Sequence, residues 1–225
     1  LKKVFAVIIA LAVIVMFFIG ISKLFNKESI TEEKAVALRY FPVYTNDKWG
    51  VIDSKGNIII EPQYEEYIVI PDNTKPVFIC TYNVDYEKNT YNTKVLNEKN
   101  EEIVTGYDTV EAIENYDENN NLWYETNLLK VSKNGKYGIT DFSGRVIVEC
   151  QYDSIEALKG IKNVILSKKN GKYGIIDHVG TVIIENEYTS IKPISDRYED
   201  GYIVKDEKGK YGVINYTKSV ALENK

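Results

Sequence analysis

The residues able to carry chemistry are few and scattered. His178 is the only histidine, and the two cysteines, Cys80 and Cys150, lie far apart. They assemble neither a nucleophile with its base nor a zinc set with ligand spacing. Carboxylates are plentiful, but a glycosidase needs two of them at a fixed separation, which a sequence does not display. Asp53, Asp141 and Asp177 recur in one pattern, each three residues before a glycine. One reading is a calcium ion per copy. The favoured reading is a turn cap, because the dense acidic loop of a calcium site is absent and an aspartate opening a turn accepts its backbone N–H groups. Eighteen tyrosines raise the further possibility of stacking on sugar faces. The expectation is a chain with no catalytic residue, no cofactor and no metal ligand: not an enzyme.

These aspartates belong to a stretch that the chain rewrites. KWGVIDSKGNIIIEPQY (48–64), KYGITDFSGRVIVECQY (136–152), KYGIIDHVGTVIIENEY (172–188) and KYGVINYTKSVALE (210–223) are copies, and NTKVLNEKNEEIVTGY (92–107) is a weaker one. Their starts are spaced by 44, 44, 36 and 38 residues. A period in that range marks a repeat array, whose units bury their apolar faces only against one another. Asn-Gly at 134–135 and 170–171 predicts two-residue hairpin turns. The Asp-x-x-Gly segments predict a second turn, with Asn100 standing at the glycine position in the weak copy. Each unit therefore reads as a three-stranded meander, with a possible fourth strand after Tyr152 and Tyr188.

The motifs KWGVID, KYGITD, KYGIID and KYGVIN, each followed by a turn and an apolar triplet, resemble the repeats of bacterial WG-repeat proteins. The resemblance covers residues 40–223 and implies an all-β fold of tandem meander repeats, about five units with the second degenerate. It implies binding or scaffolding and carries no catalytic residues. Variable spacing favours a curved open array, with propeller-like closure as the alternative.

Two aromatic registers repeat with the units: Trp49, Tyr137, Tyr173 and Tyr211, and Tyr64, Tyr107, Tyr152 and Tyr188. Repetition in register is the mark of packing between units, so these eight are assigned to the core. Two stretches break the repeat: residues 83–92, read as a lengthened hairpin loop in the second unit, and residues 113–127, read as a connector between the second and third units. Insertions in repeat arrays map to loops on a binding face. The aromatics they hold, Tyr86, Tyr91, Tyr116, Trp123 and Tyr124, are the expected partner-binding residues.

At the N-terminus, residues 4–22 contain no charged side chain. As a helix they would span roughly 28 Å, close to the hydrocarbon thickness of a bilayer. The run exceeds a secretory h-region, so an uncleaved anchor is favoured over a cleaved signal. Residues 1–27 are thus read as a transmembrane signal-anchor, 28–39 as a short helical stalk opened by Ser29 and Glu32, and 40–225 as the repeat domain. Lys2, Lys3, Lys23 and Lys27 are the only basic residues before residue 28, and all 33 acidic residues lie from Glu28 onward, leaving a net charge of −9 on the remainder. That argues against a nucleic-acid partner. The expectation is a cell-membrane protein, single-pass, with its repeats outside the cytoplasm, binding a protein or cell-wall polymer. The alternatives are a structural envelope or spore-associated protein and a hydrolase on a β scaffold. Cys80 and Cys150 are expected to be free thiols.

Overall fold

Asn-Gly and Asp-x-x-Gly segments dictate where the strands turn. A computed structural model describes residues 37–215 and 220–222. Expectations for the membrane span and for residues 28–36 of the stalk lie outside the described residues, and residues 37–39 carry no helix. No helix among the described residues is long and apolar enough to cross a membrane. The chain divides into two compact units, Leu1–Ala37 and Leu38–Lys225.

Among its described residues the second unit is all-β apart from one 3₁₀ turn at Tyr198–Asp200, with five antiparallel meander sheets in chain order. Sheet 1 holds β1 (Tyr40–Thr45), β2 (Lys48–Asp53) and β3 (Ile58–Tyr64). Sheet 2 holds β4 (Phe78–Asp85), β5 (Thr90–Leu96) and β6 (Glu102–Val104). Sheet 3 comprises β7 (Thr109–Tyr116), β8 (Leu122–Lys133), β9 (Lys136–Thr140) and β10 (Val146–Tyr152). Sheet 4 comprises β11 (Ser154–Ala157), β12 (Val164–Lys169), β13 (Lys172–Asp177) and β14 (Val182–Tyr188). Sheet 5 comprises β15 (Ser190–Pro193), β16 (Tyr202–Lys205), β17 (Tyr211–Ile214) and β18 (Val220–Leu222). The strands after Tyr152 and Tyr188 exist, but they open the next sheet, pairing with β12 and β16.

The turns obey the chemistry of their residues. Asn134 and Gly135 both have positive φ (52° and 72°), as do Asn170 and Gly171 (51° and 79°). In the second turn one Oδ1 of Asp53, Asn97, Asp141 or Asp177 accepts two backbone N–H groups at 2.7–3.0 Å. Those side chains are committed to the turns as caps.

Strand alternation then splits each sheet's side chains between two neighbours. In sheet 2, Phe78, Cys80 and Leu96 join a core with Val51, Ile60 and Tyr64 of sheet 1, while Ile79 and Val95, with Val77 just before β4, join one with Val110, Leu129 and Val131 of sheet 3. In sheet 4, Ile165 and Ile176 face sheet 3, while Val164 and Ile175 face sheet 5. The core is therefore a series of four inter-sheet layers, and the internal strands read as nearly continuous apolar runs because both faces are covered. Tyr64 and Tyr152 are buried as expected, and Trp49, Tyr137 and Tyr173 pack at the edges of these layers. Tyr211, assigned to the core from its register, is instead 56% exposed, because no sixth sheet covers it among the described residues. Cys80 and Cys150 are both free; burial pushes the Cys80 thiol up to about 12.

The glycine after the aromatic has a steric reason. A Cβ at Gly138 would stand 2.5 Å from the Val148 carbonyl oxygen, and one at Gly174 would stand 2.6 Å from that of Ile184. The third strand crosses there too closely for any side chain. Gly174→Val is expected to cost about 1–3 kcal/mol, read as a lower melting temperature; an unchanged midpoint would contradict this packing.

Candidate functional site

Both insertions are hairpin extensions, in keeping with the lengthened hairpin read for residues 83–92 and correcting the reading of residues 113–127 as a connector. The β4–β5 ladder runs out to Asp85 opposite Thr90, and the β7–β8 ladder to Tyr116 opposite Leu122. The second hairpin closes with the repeat's own turn chemistry. Asp117 Oδ1 accepts the Asn119 and Asn121 N–H groups at 2.8 Å, and Asn120 takes φ 60°. Residues 113–127 thus lie within sheet 3. Where the extension begins, the register jumps from Ala112 opposite Leu129 to Glu114 opposite Tyr124, with Asn127 left-handed at φ 58°. A bulge of this kind re-aims the strand beyond it.

The extension's two faces do different things. On one lie Asn115, Trp123 and Glu125, against the loop that joins β11 to β12. Asn115 is fully buried and Glu125 is 1% exposed. Asn115 Nδ2 donates to Glu125 Oε1 at 2.8 Å, and to the carbonyls of Ile161 at 2.9 Å and Leu158 at 3.3 Å. Its Oδ1 accepts from the Gly160 and Tyr116 N–H groups, and Glu125 Oε2 accepts from Asn163 N at 2.8 Å. This network clamps the hairpin onto the fourth unit. The Lys162 ammonium lies 5.8 Å from the half-buried Trp123 ring, whose Nε1 is enclosed without a hydrogen-bond partner.

The opposite face borders a cleft of about 730 Å³, walled by residues 66–69, the β4–β5 hairpin, β7 and β11. Tyr86, Tyr91 and Tyr116 line it with Tyr67 and four carboxylates, Glu66, Glu111, Glu114 and Glu156; Lys130 is its one basic residue. Three tyrosine hydroxyls each donate to a glutamate: Tyr86 to Glu66, Tyr91 to Glu111 at 2.7 Å, and Tyr116 to Glu114 at 2.8 Å. These bonds hold long side chains in place and stabilise the protonated phenols. The Glu111 bond, then burial, pushes Tyr91 up to about 12, and Tyr86 and Tyr116 are raised by their glutamates. Lys130 is spent on Glu111 at 2.6 Å. Burial alone would raise the Glu111 carboxyl, but the Lys130 ammonium and the Tyr91 hydroxyl outweigh it and hold it below the ordinary glutamate value. The cleft is therefore aromatic and net negative. From its rim the rings continue onto sheet 1, with Tyr67 edge-on to Trp49 at 4.9 Å and Trp49 against Tyr44 at 4.9 Å.

Of the five expected site residues, Tyr86, Tyr91 and Tyr116 meet in this cleft. Tyr124 stands beside it, its hydroxyl raised first by burial and then by Glu114, Tyr67 and Tyr116. Trp123 points the other way. The sequence reading missed Glu66, Tyr67, Glu111 and Glu114, which had no mark among 33 acidic residues, and the Asn115–Glu125 clamp, which looked like part of a polar loop.

Comparison with solved structures finds a likeness to HIRA(644-1017), at 10% identity and a TM-score of 0.32, covering 83% of this chain and 53% of that one. The chain thus spans about half the length of that solved chain. No curated protein matches it. The model of the WG containing repeat matches residues 49–70, 139–173 and 173–211. Each of those stretches holds one of the capped turns described above, the last also holds the close-approach Gly174, and at them the chain carries the WG containing repeat.

Proposed function

We propose that this chain is a membrane-anchored, extracytoplasmic interaction module without catalytic activity, whose binding surface is the tyrosine–glutamate cleft. Residues 4–22 serve as an uncleaved anchor, residues 28–39 as a stalk, and residues 40–225 as an open, curved repeat array. The observation that carries the reading is the convergence of two separate insertions on one cleft, where three Tyr–Glu pairs hold side chains that the repeat itself does not need. Four carboxylates with the only lysine already neutralised favour a cationic segment of a protein or cell-wall polymer, and tyrosine faces add cation–π attraction. A general acid would need a raised carboxyl, whereas Glu111 is lowered, which favours binding over hydrolysis. The open-array reading draws on β18, which pairs with β17 of its own sheet.

The test is titration of the detergent-solubilised full chain with an oligolysine peptide and with an acidic peptide of equal length. Saturable binding of the first alone supports the reading; equal or absent binding of both would overturn it. The alternative of a structural envelope protein is favoured by one observation, the faces of the first and last sheets that no other sheet covers among the described residues.

A further inference from the structure

Each inner sheet of the array presents a front face to its successor and a back face to its predecessor. At one repeat position the front residue is Val51, Val95, Ile139 and Ile175 in sheets 1–4, each 0% exposed. The same position in sheet 5 is Val213, which is half-buried, beside Ile203 at 39% and Tyr211 at 56%. The next position faces back. There Leu96, Thr140, Ile176 and Ile214 of sheets 2–5 are all 6% exposed or less. In sheet 1 it is Ile52, half-buried next to its cross-strand neighbour Phe41. The turn glycines tell the same story. Gly144 and Gly180 press on the carbonyl oxygens of Ile103 and Ile147 in the preceding sheet, while Gly56 in sheet 1 meets nothing.

We infer that the front of sheet 5 docks on the back of sheet 1 of a second copy of this chain, continuing the same interface from molecule to molecule. The two ends are the unmatched halves of a contact the chain makes four times internally, and among the described residues neither carries the polar cap that closes a repeat array. Front against back is a heterologous contact, so it propagates in one direction rather than stopping at a symmetric dimer. This assembly does not depend on what the cleft binds.

The experiment uses the full chain in a fixed detergent, with mass measured by light scattering over a range of concentrations. Ile203→Lys blocks the front and Ile52→Lys blocks the back; equal melting temperatures establish that both variants fold. The wild-type chain should form species larger than dimers, each variant alone should weaken association more than tenfold, and the two mixed should give dimers and nothing larger. A wild-type chain monomeric at ~100 μM, association surviving both substitutions, loss with the front variant only, or a mixture that forms no dimer would overturn the proposal.

Discussion

Replacing Asn115 with leucine is expected to destabilise the repeat domain by about 3–5 kcal/mol, the cost of breaking a buried polar network around a charge. Leucine fills a similar volume but supplies none of the bonds. Glu125, 1% exposed, would keep only the Asn163 N–H, and the carbonyls of Leu158 and Ile161 would lose their donor. Burying an acceptor without a partner costs its full desolvation, and the loss is larger when the acceptor is ionised. The clamp also fixes the β7–β8 extension, so the same variant should loosen the cleft wall that carries Glu114 and Tyr116. Urea unfolding of the full chain measures the first effect. A loss under about 1 kcal/mol would mean that the network is not what anchors the hairpin.

A second large effect is expected on binding rather than stability. Glu114→Lys reverses a charge at an exposed position on the cleft face and removes the acceptor of the Tyr116 hydroxyl. A cationic peptide should bind at least tenfold more weakly, while the melting temperature stays close to that of the wild type. Trp123→Ala is the informative contrast. Its ring lies on the other face, next to Lys162, so the expected outcome is a lower melting temperature with affinity retained by the folded fraction. Affinity loss with Trp123→Ala and none with Glu114→Lys would move the binding surface to the opposite side of the hairpin.

Local rules made much of the fold legible, because a repeat states each rule several times. Asn-Gly turns, capped Asp-x-x-Gly turns and period-two apolar runs are short-range features, and the strands follow them. Sheet membership was harder. Residues 154–157 and 190–193 read as strands, but only their partners across the chain, β12 and β16, decide to which sheet they belong. The second insertion was misread for a related reason. Asp117-Glu118-Asn119-Asn120 has the same form as Asn97-Glu98-Lys99-Asn100, a capping residue followed at the fourth place by a left-handed asparagine, and it turns the chain in the same way. A polar run looked like a connector although it obeyed the turn rule. Aromatics outside the registers did lead toward the cleft through Tyr86, Tyr91 and Tyr116. Their glutamate partners lie 20 residues away for Tyr86 and Tyr91 and two for Tyr116, and no local pattern singles them out.

The central claim, that partner binding rests on the charged, aromatic cleft, also sets a pH dependence. Glu111 is held below the ordinary glutamate value of 4.5, so its charge is present above that pH and is lost only as pH falls through the lower, folded-state value. Its contribution to stability follows the same window. The most direct measurement is calorimetric titration of the full chain with oligolysine at pH 7 and pH 5, in wild type and Glu114→Lys. The account predicts saturable binding at both pH values, with at least a tenfold loss in the variant. Equal affinity of wild type and Glu114→Lys at pH 7 would contradict it.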